Sequence, residues 1–261
     1  MSNFSRPNMG VNIDNNKFIF NDVDLSNIVV IEKIQRSLFP LKSVRSISMP
    51  GADGEYVFGS SYGIRKISVD FRIVEDTYEE VLETKLYLAS VLGERLPKKL
   101  ELKDFHNLNI YNLAILSSEI YLDKNLDTLS GTLDFICHNP FNFSNIEKSQ
   151  TINSTPSAVV NAGVSISPKI TINVLTQIDE YVNISTNDGQ NLKLMGPFLA
   201  GSNVVFEDYT LRINGNLSNL KINLDDSTFI SLKRGSTNVS ITGQGSNVCT
   251  LSFKERYLWF G

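Results

Sequence analysis

The sequence predicts a mainly β protein of two domains: a β-sandwich domain with one α-helix over residues 1–148, and an antiparallel β-sandwich over residues 149–261. Three observations carry this reading. Apolar residues recur at every second position in segment after segment, with Gly, Asn, Asp and Pro between them, as half-buried strands require. A single segment switches to helical spacing. A polar run near residue 150 then separates two halves of different composition, and 261 residues exceed the usual size of one domain.

In chain order, the first clear alternation is Ile67, Val69, Phe71 and Ile73. After Asp76, the run Thr77 to Leu92 places Tyr78, Val81, Leu82, Leu86, Ala89 and Leu92 on one expected helical stripe. Thr77 with Glu80 reads as a capping box, Glu79 and Glu80 suit the positive end of the helix dipole, and Gly93 is expected as a left-handed stop. Such a helix should lie across one sheet face and cover its apolar side chains. Leu129, Leu133 and Phe135 form the next alternating run. From Ser144 to Ser157 the chain is polar, Ser/Thr-rich and interrupted by Pro156, which reads as a linker. Beyond it, Ile170, Ile172 and Val174, then Leu211 and Ile213, then Leu220, Ile222 and Leu224 read as strands. Asp188-Gly189 and Asn214-Gly215 are two-residue hairpin signals.

Composition excludes several classes of function. With 41% hydrophobic and 20% charged residues the chain buries enough apolar surface to fold. Residues 1–148 carry 16 Lys and Arg against 20 Asp and Glu, and residues 149–261 carry eight of each, so the net charge of −4 resides in the first half. That balance argues against a surface that neutralises nucleic-acid phosphates. For the basic doublets Lys98-Lys99 and Lys233-Arg234, solvated loop charge is the expectation. The opening Met1 to Asn8 has no apolar signal region, and no apolar run approaches the roughly 18 residues of a spanning helix. Synthesis in a cytoplasm without membrane insertion is the expectation. Cys137 and Cys249 each continue an alternating run, with Leu133 and Phe135 and with Leu251 and Phe253, which points both thiols into cores.

Residues that suggest chemistry have simpler explanations. Gly59-Ser60-Ser61-Tyr62-Gly63 matches a hydrolase serine pattern, but an alternating strand and not a helix follows, so a flexible Gly/Ser loop is expected. His106 and His138 are the two histidines, and neither lies in a context that marks a general base. Two histidines and two core cysteines cannot close a zinc site. Asp53 and Asp225-Asp226 have turn chemistry as a better explanation than calcium. Glu79-Glu80 and Glu207-Asp208 read as solvated surface and not as a glycosidase pair. Tyr257, Trp259 and Phe260 suit sugar stacking, partner docking or a last strand folded onto the core, with packing favoured. No catalytic, cofactor or metal site is assigned, and the protein is not expected to be an enzyme.

The order of several landmarks resembles the distal tail proteins of long non-contractile-tailed phages. Phe18-Ile19-Phe20-Asn21-Asp22-Val23-Asp24-Leu25 is similar to that family's first hairpin, and Met49-Pro50-Gly51-Ala52-Asp53-Gly54 to its Pro-Gly-x-Asp-Gly loop. The strand-helix-strand unit from Ile64 to Leu102 follows, ending in Leu100-Glu101-Leu102-Lys103-Asp104. Gly131 to Phe141, closing in Asn139-Pro140-Phe141, resembles the last strand of the family's ring domain. Asn161-Ala162-Gly163, Pro168-Lys169-Ile170, Leu211-Arg212-Ile213-Asn214-Gly215 and Leu232 to Asn238 match landmarks of its galectin-like outer sandwich. Arg234-Gly235 stands where the family usually has Pro-Gly.

This resemblance implies a homo-hexameric ring whose N-terminal domains form a collar around the DNA channel, with the C-terminal domains projecting outward. The implied place is the distal end of the virion tail, between the tail tube and the tip or baseplate. The implied partners are the major tail tube protein and a tail-associated fibre or lysin protein, and receptor-binding proteins on the outside are left open. Sequence-specific nucleic-acid binding is not implied. The alternative reading is a carbohydrate-binding module that recognises host cell-wall polysaccharide.

Overall fold

A computed structural model describes residues 17–51, 53–74, 78–103, 109–118, 123–125, 128–243, 245 and 247–258, and they are predominantly strand, with one α-helix among them. The chain divides into two units, the first reaching Asn142 and the second spanning Phe143–Leu258. The opening Met1 to Asn8, the Thr77 cap, His106, Trp259 and Phe260 lie outside the described residues.

The first unit contains β1 (Lys17–Phe20), β2 (Val23–Asp24), β3 (Val30–Arg36), β4 (Lys42–Ser48), β5 (Glu55–Tyr62), β6 (Arg65–Val74), helix α1 (Tyr78–Leu92), β7 (Lys98–Lys103), β8 (Ile110–Leu116), β9 (Asp123–Asn125) and β10 (Thr128–Cys137). Its backbone is the antiparallel pair β6 and β10, in register from Val74 opposite Thr128 to Arg65 opposite Cys137. Strand β3 adds to the free edge of β6, and β8 and β9 add to β10. The alternation seen in the sequence is realised here, because Ile67, Val69, Phe71 and Ile73 are buried together with Leu133, Phe135 and Cys137. Phe18 and Phe20 of β1 complete the core against Phe135, at ring centroid distances of 6.2 and 5.7 Å.

Helix α1 covers this core, and of the expected stripe Leu92 is buried while Leu82, Leu86 and Ala89 are not. Its buried side chains are Thr84, Leu88 and Leu92, with Lys85 and Val91 half-buried, while Leu82, Leu86 and Ala89 face outward. Apolar residues lie on two sides of this helix, so periodicity alone could not select the packed stripe. The side chains of Tyr78 and Val81 lie outside the described set. Glu79 and Glu80 occupy the first turn as expected. Gly93 is not the left-handed stop expected of it. Its N–H donates to Ala89 O at 3.0 Å, and a Cβ there would come within 2.7 Å of that carbonyl, so glycine permits close approach.

The second unit contains β11 (Asn142–Ile152, which starts at the end of the first unit), β12 (Ser157–Asn161), β13 (Lys169–Asn173), β14 (Tyr181–Thr186), β15 (Asn191–Met195), β16 (Asn203–Glu207), β17 (Thr210–Ile213), β18 (Asn216–Leu217), β19 (Gly235–Thr242) and β20 (Val248–Tyr257). One sheet runs β11-β20-β13-β16-β17-β18 and the other β12-β19-β14-β15. Ile170, Ile172, Cys249 and Leu251 of the first share a core with Val182, Ile184, Leu192, Val239 and Ile241 of the second, which makes the expected antiparallel sandwich. Cys137 and Cys249 are both free and fully buried, and burial pushes their thiols up to about 11 and about 12.

Two expectations for this unit are corrected. Most of the run read as a linker is strand, because β11 extends to Ile152, which is fully buried, and β12 resumes at Ser157. Its Ser, Asn and Gln residues belong to a strand with one solvated face, which composition alone does not distinguish from a linker. Leu220, Ile222 and Leu224 do not form a strand. Asn219–Lys221 is a short 3-10 turn in which Leu220 is fully exposed, and Asn219 Oδ1 accepts the Leu211 N–H at 2.7 Å. Side-chain capture of the backbone competes here with sheet pairing.

Turn signals held where glycine announced them. Asn214 and Gly215, at φ 50° and 83°, form the two-residue turn between β17 and β18. Asp188-Gly189 also closes a hairpin, but through the four residues between β14 and β15. Asn21-Asp22 and Asp208-Tyr209 form two further left-handed turns without glycine, at φ 51° and 60° and at φ 48° and 60°.

Strand β20 positions a buried carboxylate. Glu255 accepts from Lys148 Nζ at 2.7 Å, the Ala162 N–H at 2.6 Å and the Tyr257 hydroxyl at 2.8 Å. Burial opposes its ionisation, but the three donors outweigh burial and hold the carboxyl below its ordinary value. Burial and the Glu255 charge push the Tyr257 hydroxyl up to about 12, so it remains a donor.

Candidate assembly surface

Strands β4 and β5 pair only with each other among the described residues, forming a separate two-stranded sheet. Every residue of both strands is exposed. The tip, Met49 to Gly54, turns through Gly51 and Gly54 at φ 82° and 86°, which is the reason for glycine in the Pro-Gly-x-Asp-Gly loop. At the base, the Gly63 N–H donates to Leu41 O at 2.7 Å, and the Tyr62 and Phe141 rings pack in a T-shaped pair with centroids 6.4 Å apart. Ser46 and Ser48 both bond Glu55, the latter at 3.5 Å, which sets the register near the tip.

The side chains on this ribbon are unusual for a solvated hairpin. Val44, Ile47, Tyr56, Val57, Phe58 and Tyr62 are all exposed, and Phe58, the extra residue of a β-bulge opposite Arg45 and Ser46, is 73% accessible. Leu38, Phe39 and Leu41 extend the apolar surface through the preceding segment. A lone two-stranded hairpin is marginally stable in water, and a contiguous apolar patch of this kind marks an interaction site. Burying the six strand side chains would contribute on the order of 10 kcal/mol per copy. The same unit presents a second apolar stripe that the described residues leave exposed, Leu82, Leu86 and Ala89 of α1.

The residues singled out for chemistry fall elsewhere or acquire ordinary roles. Ser61 lies inside β5 opposite Ser43, so the segment expected as a loop is a strand, and β6 follows it without a strand-to-helix turn. Gly59 pairs with Arg45 beside the bulge, where the lack of a side chain eases the bend. His138 is exposed in the turn after β10, and Asp53 in the tip of the β4–β5 hairpin. Asp226 pairs with Lys193 at 2.8 Å, and the Asp225 N–H donates to Asn223 Oδ1 at 3.2 Å, as turn residues do. Glu207 ends β16 and pairs with Lys169 at 3.5 Å. Lys98 and Lys99 are not loop charge, since both sit in β7, where Lys99 bonds Glu101 at 2.6 Å and Lys98 meets Glu94 at 3.6 Å. Lys233 pairs with Asp188 at 2.8 Å. Tyr257 closes the last strand. Among the described residues no three His, Cys, Asp or Glu side chains cluster as metal ligands, and no helix is long and apolar enough to cross a membrane.

Sequence reasoning missed the β4–β5 hairpin as an apolar surface. The available signal was the density of Val, Ile, Phe and Tyr on both faces of two strands around a Pro-Gly turn, which by itself does not say what covers them.

Comparison with known proteins is consistent across both units. Residues 21–137 match the phage tail protein RIFT-related domain, and residues 161–257 match the C-terminal domain of the siphovirus-type tail component. No curated protein sequence matches. The fold is similar to the crystal structure of SPP1 Dit, described as a paradigm of the hub adsorption apparatus in phages infecting Gram-positive hosts. That match has a TM-score of 0.79 and 18% identity, covering 93% of this chain and 99% of that one. A chain from each of two structures of the phage P2 baseplate in its activated conformation, one with Ca and one with Sr, aligns at TM-scores of 0.46 and 0.48 with 8% identity, covering 91% of this chain and 97% of theirs.

Proposed function

The chain belongs to the siphophage distal tail protein family and is a structural component of the virion tail, and from that premise we propose that six copies close into a ring. This ring joins the tail tube to the tip complex. The observation that carries the proposal is the β4–β5 hairpin, whose apolar residues nothing in its own chain covers among the described residues. In a heterologous contact, each copy offers one surface and receives another, and the contact closes when the rotation divides the circle.

In this reading the N-terminal domain over residues 1–148 forms the collar, and the C-terminal sandwich over residues 149–261 projects outward as the hub for adhesion proteins. The tube protein and a tail-associated fibre or lysin protein dock on opposite faces. The work is geometric and not catalytic, since a small patch repeated around a ring gains strength through multivalency. Light scattering and negative-stain imaging of the full chain at micromolar concentration should show about six subunits, or a back-to-back double of that. Phe58→Glu with Val57→Glu should leave thermal unfolding of the chain intact and abolish the ring. A wild-type monomer independent of concentration, or a ring that survives both charges, would overturn the proposal.

A further inference from the structure

The outward side of helix α1 is apolar like the β4–β5 ribbon, and its charge runs in the opposite sense. At about 3.6 residues per turn, Glu79, Leu82, Glu83, Leu86 and Ser90 share the side opposite the buried Thr84, Leu88 and Leu92, and all five are exposed. Leu86 is 74% accessible. Glu79 and Glu83, one turn apart, repel each other, a cost that an incoming cation removes. With Glu80 they make three carboxylates in the first two turns, which outweigh the roughly +0.5 charge of the helix N-terminus. Beyond the other end of the helix, Arg95 and Leu96 are exposed.

On the ribbon the order of charge is reversed. Lys42 and Arg45 lie in the half nearer the base, and Asp53 and Glu55 lie at the tip. By the strand register, Val44 and Val57 share the face that carries Lys42, and Phe58 bulges beside them. The two surfaces also match in size. Strands of seven and eight residues extend ~25 Å, and a 15-residue helix extends ~22 Å. Same-face residues of a strand are ~6.7 Å apart, close to the ~6 Å rise from Leu82 to Leu86. Both surfaces are exposed in a single copy, so the ribbon does not cover its own helix.

We infer that the ribbon of one copy lies along the outward side of α1 of the next copy, its basic base at Glu79 and Glu83 and its acidic tip at Arg95. The occupant is a second copy because the ribbon itself carries the complement in apolar residues, in length and in the order of charge. A surface that offers a ribbon at one place and receives one at another makes the head-to-tail contact that a ring needs. This inference rests on the ring closure proposed above and names the surface that receives the ribbon.

Thiol cross-linking of full-length chains tests both the contact and its direction. Ser48→Cys at the tip and Ser90→Cys on the helix each add one accessible thiol, the native cysteines being fully buried. When the two variants are mixed dilute and then concentrated, a short bis-maleimide should join them as a two-chain product that neither gives alone. Ser60→Cys, nearer the base, should not join Ser90→Cys. Leu86→Glu should raise the concentration needed for ring assembly more than roughly tenfold and leave thermal unfolding of the single chain unchanged. Lys42→Glu with Arg45→Glu should weaken assembly likewise, and adding Glu79→Lys and Glu83→Lys should restore it. Indifference to Leu86→Glu, no restoration by the fourfold reversal, or joining of Ser60→Cys in place of Ser48→Cys would each overturn the inference, while the ring itself would stand if Phe58→Glu with Val57→Glu still dissolved it. A wild-type chain that stays single would overturn both.

Discussion

Replacing Glu255 by Gln keeps the shape of a buried side chain and removes its charge. The wild-type carboxylate, 8% exposed, accepts from Lys148 at 2.7 Å, Ala162 N–H at 2.6 Å and Tyr257 at 2.8 Å. A hydrogen bond to an ionised group is worth ~1.5–3 kcal/mol and a neutral one ~0.5–1.5, so each bond loses about 1 kcal/mol. Lys148 is 42% exposed, so solvent screening reduces its share, and the expected total is about 2 kcal/mol. Urea unfolding followed by circular dichroism at neutral pH should show that loss as a lower midpoint with an unchanged slope. The pH dependence gives a second check. A carboxyl held below its ordinary value contributes stability that is full above roughly pH 5 and is lost as pH falls through ~4.3 toward the folded value. The gap between wild type and variant should therefore close on acidification. A variant within about 0.5 kcal/mol of wild type at neutral pH, or a gap that widens in acid, would refute the reasoning about these three donors.

Two further substitutions test the packing. Leu88→Ala should destabilise the chain by about 2–4 kcal/mol while Leu86→Ala costs under about 0.5 in a monomeric variant, as measured by denaturant midpoints, because the first faces the core and the second does not. Equal costs would mean that the helix face has been misassigned. Gly163→Ala should cost about 1–3 kcal/mol by thermal unfolding, since its Cβ would come within 2.2 Å of Arg256 O, a backbone atom that cannot swing away. A neutral result there would show that the close approach of these two segments is soft.

Much of the fold was legible because burial and periodicity coincide in it. Ile67 to Ile73 and Leu133 to Cys137 alternate in the sequence for the same reason that they are buried, each strand presenting one face to a single core. Where two physical causes produce one pattern, the sequence was ambiguous. The apolar residues of α1 lie on a core face and on an outward face, and the polar residues of β11 look like those of a linker. Asp208-Tyr209, at φ 48° and 60°, closes the β16–β17 hairpin without glycine, the residue that marks such a turn most strongly in a sequence. The assembly surface was illegible for a related reason. Patterning reveals which residues avoid water, but not whether the partner that shields them belongs to the same chain.

The β4–β5 hairpin also bears on the order of events during tail morphogenesis. A ribbon whose outer edges pair with no strand among the described residues, with Val57 and Phe58 exposed, is a template for indiscriminate pairing as long as a copy remains single. In the proposed ring, each added copy covers one ribbon and leaves one uncovered, so every open arc keeps an adhesive end and only the closed circle has none. Incomplete arcs should therefore be short-lived, with ring closure steep in subunit concentration, and the free subunit should be the aggregation-prone species during expression. Charge at Phe58 would then improve the solubility of single copies while removing their ability to build.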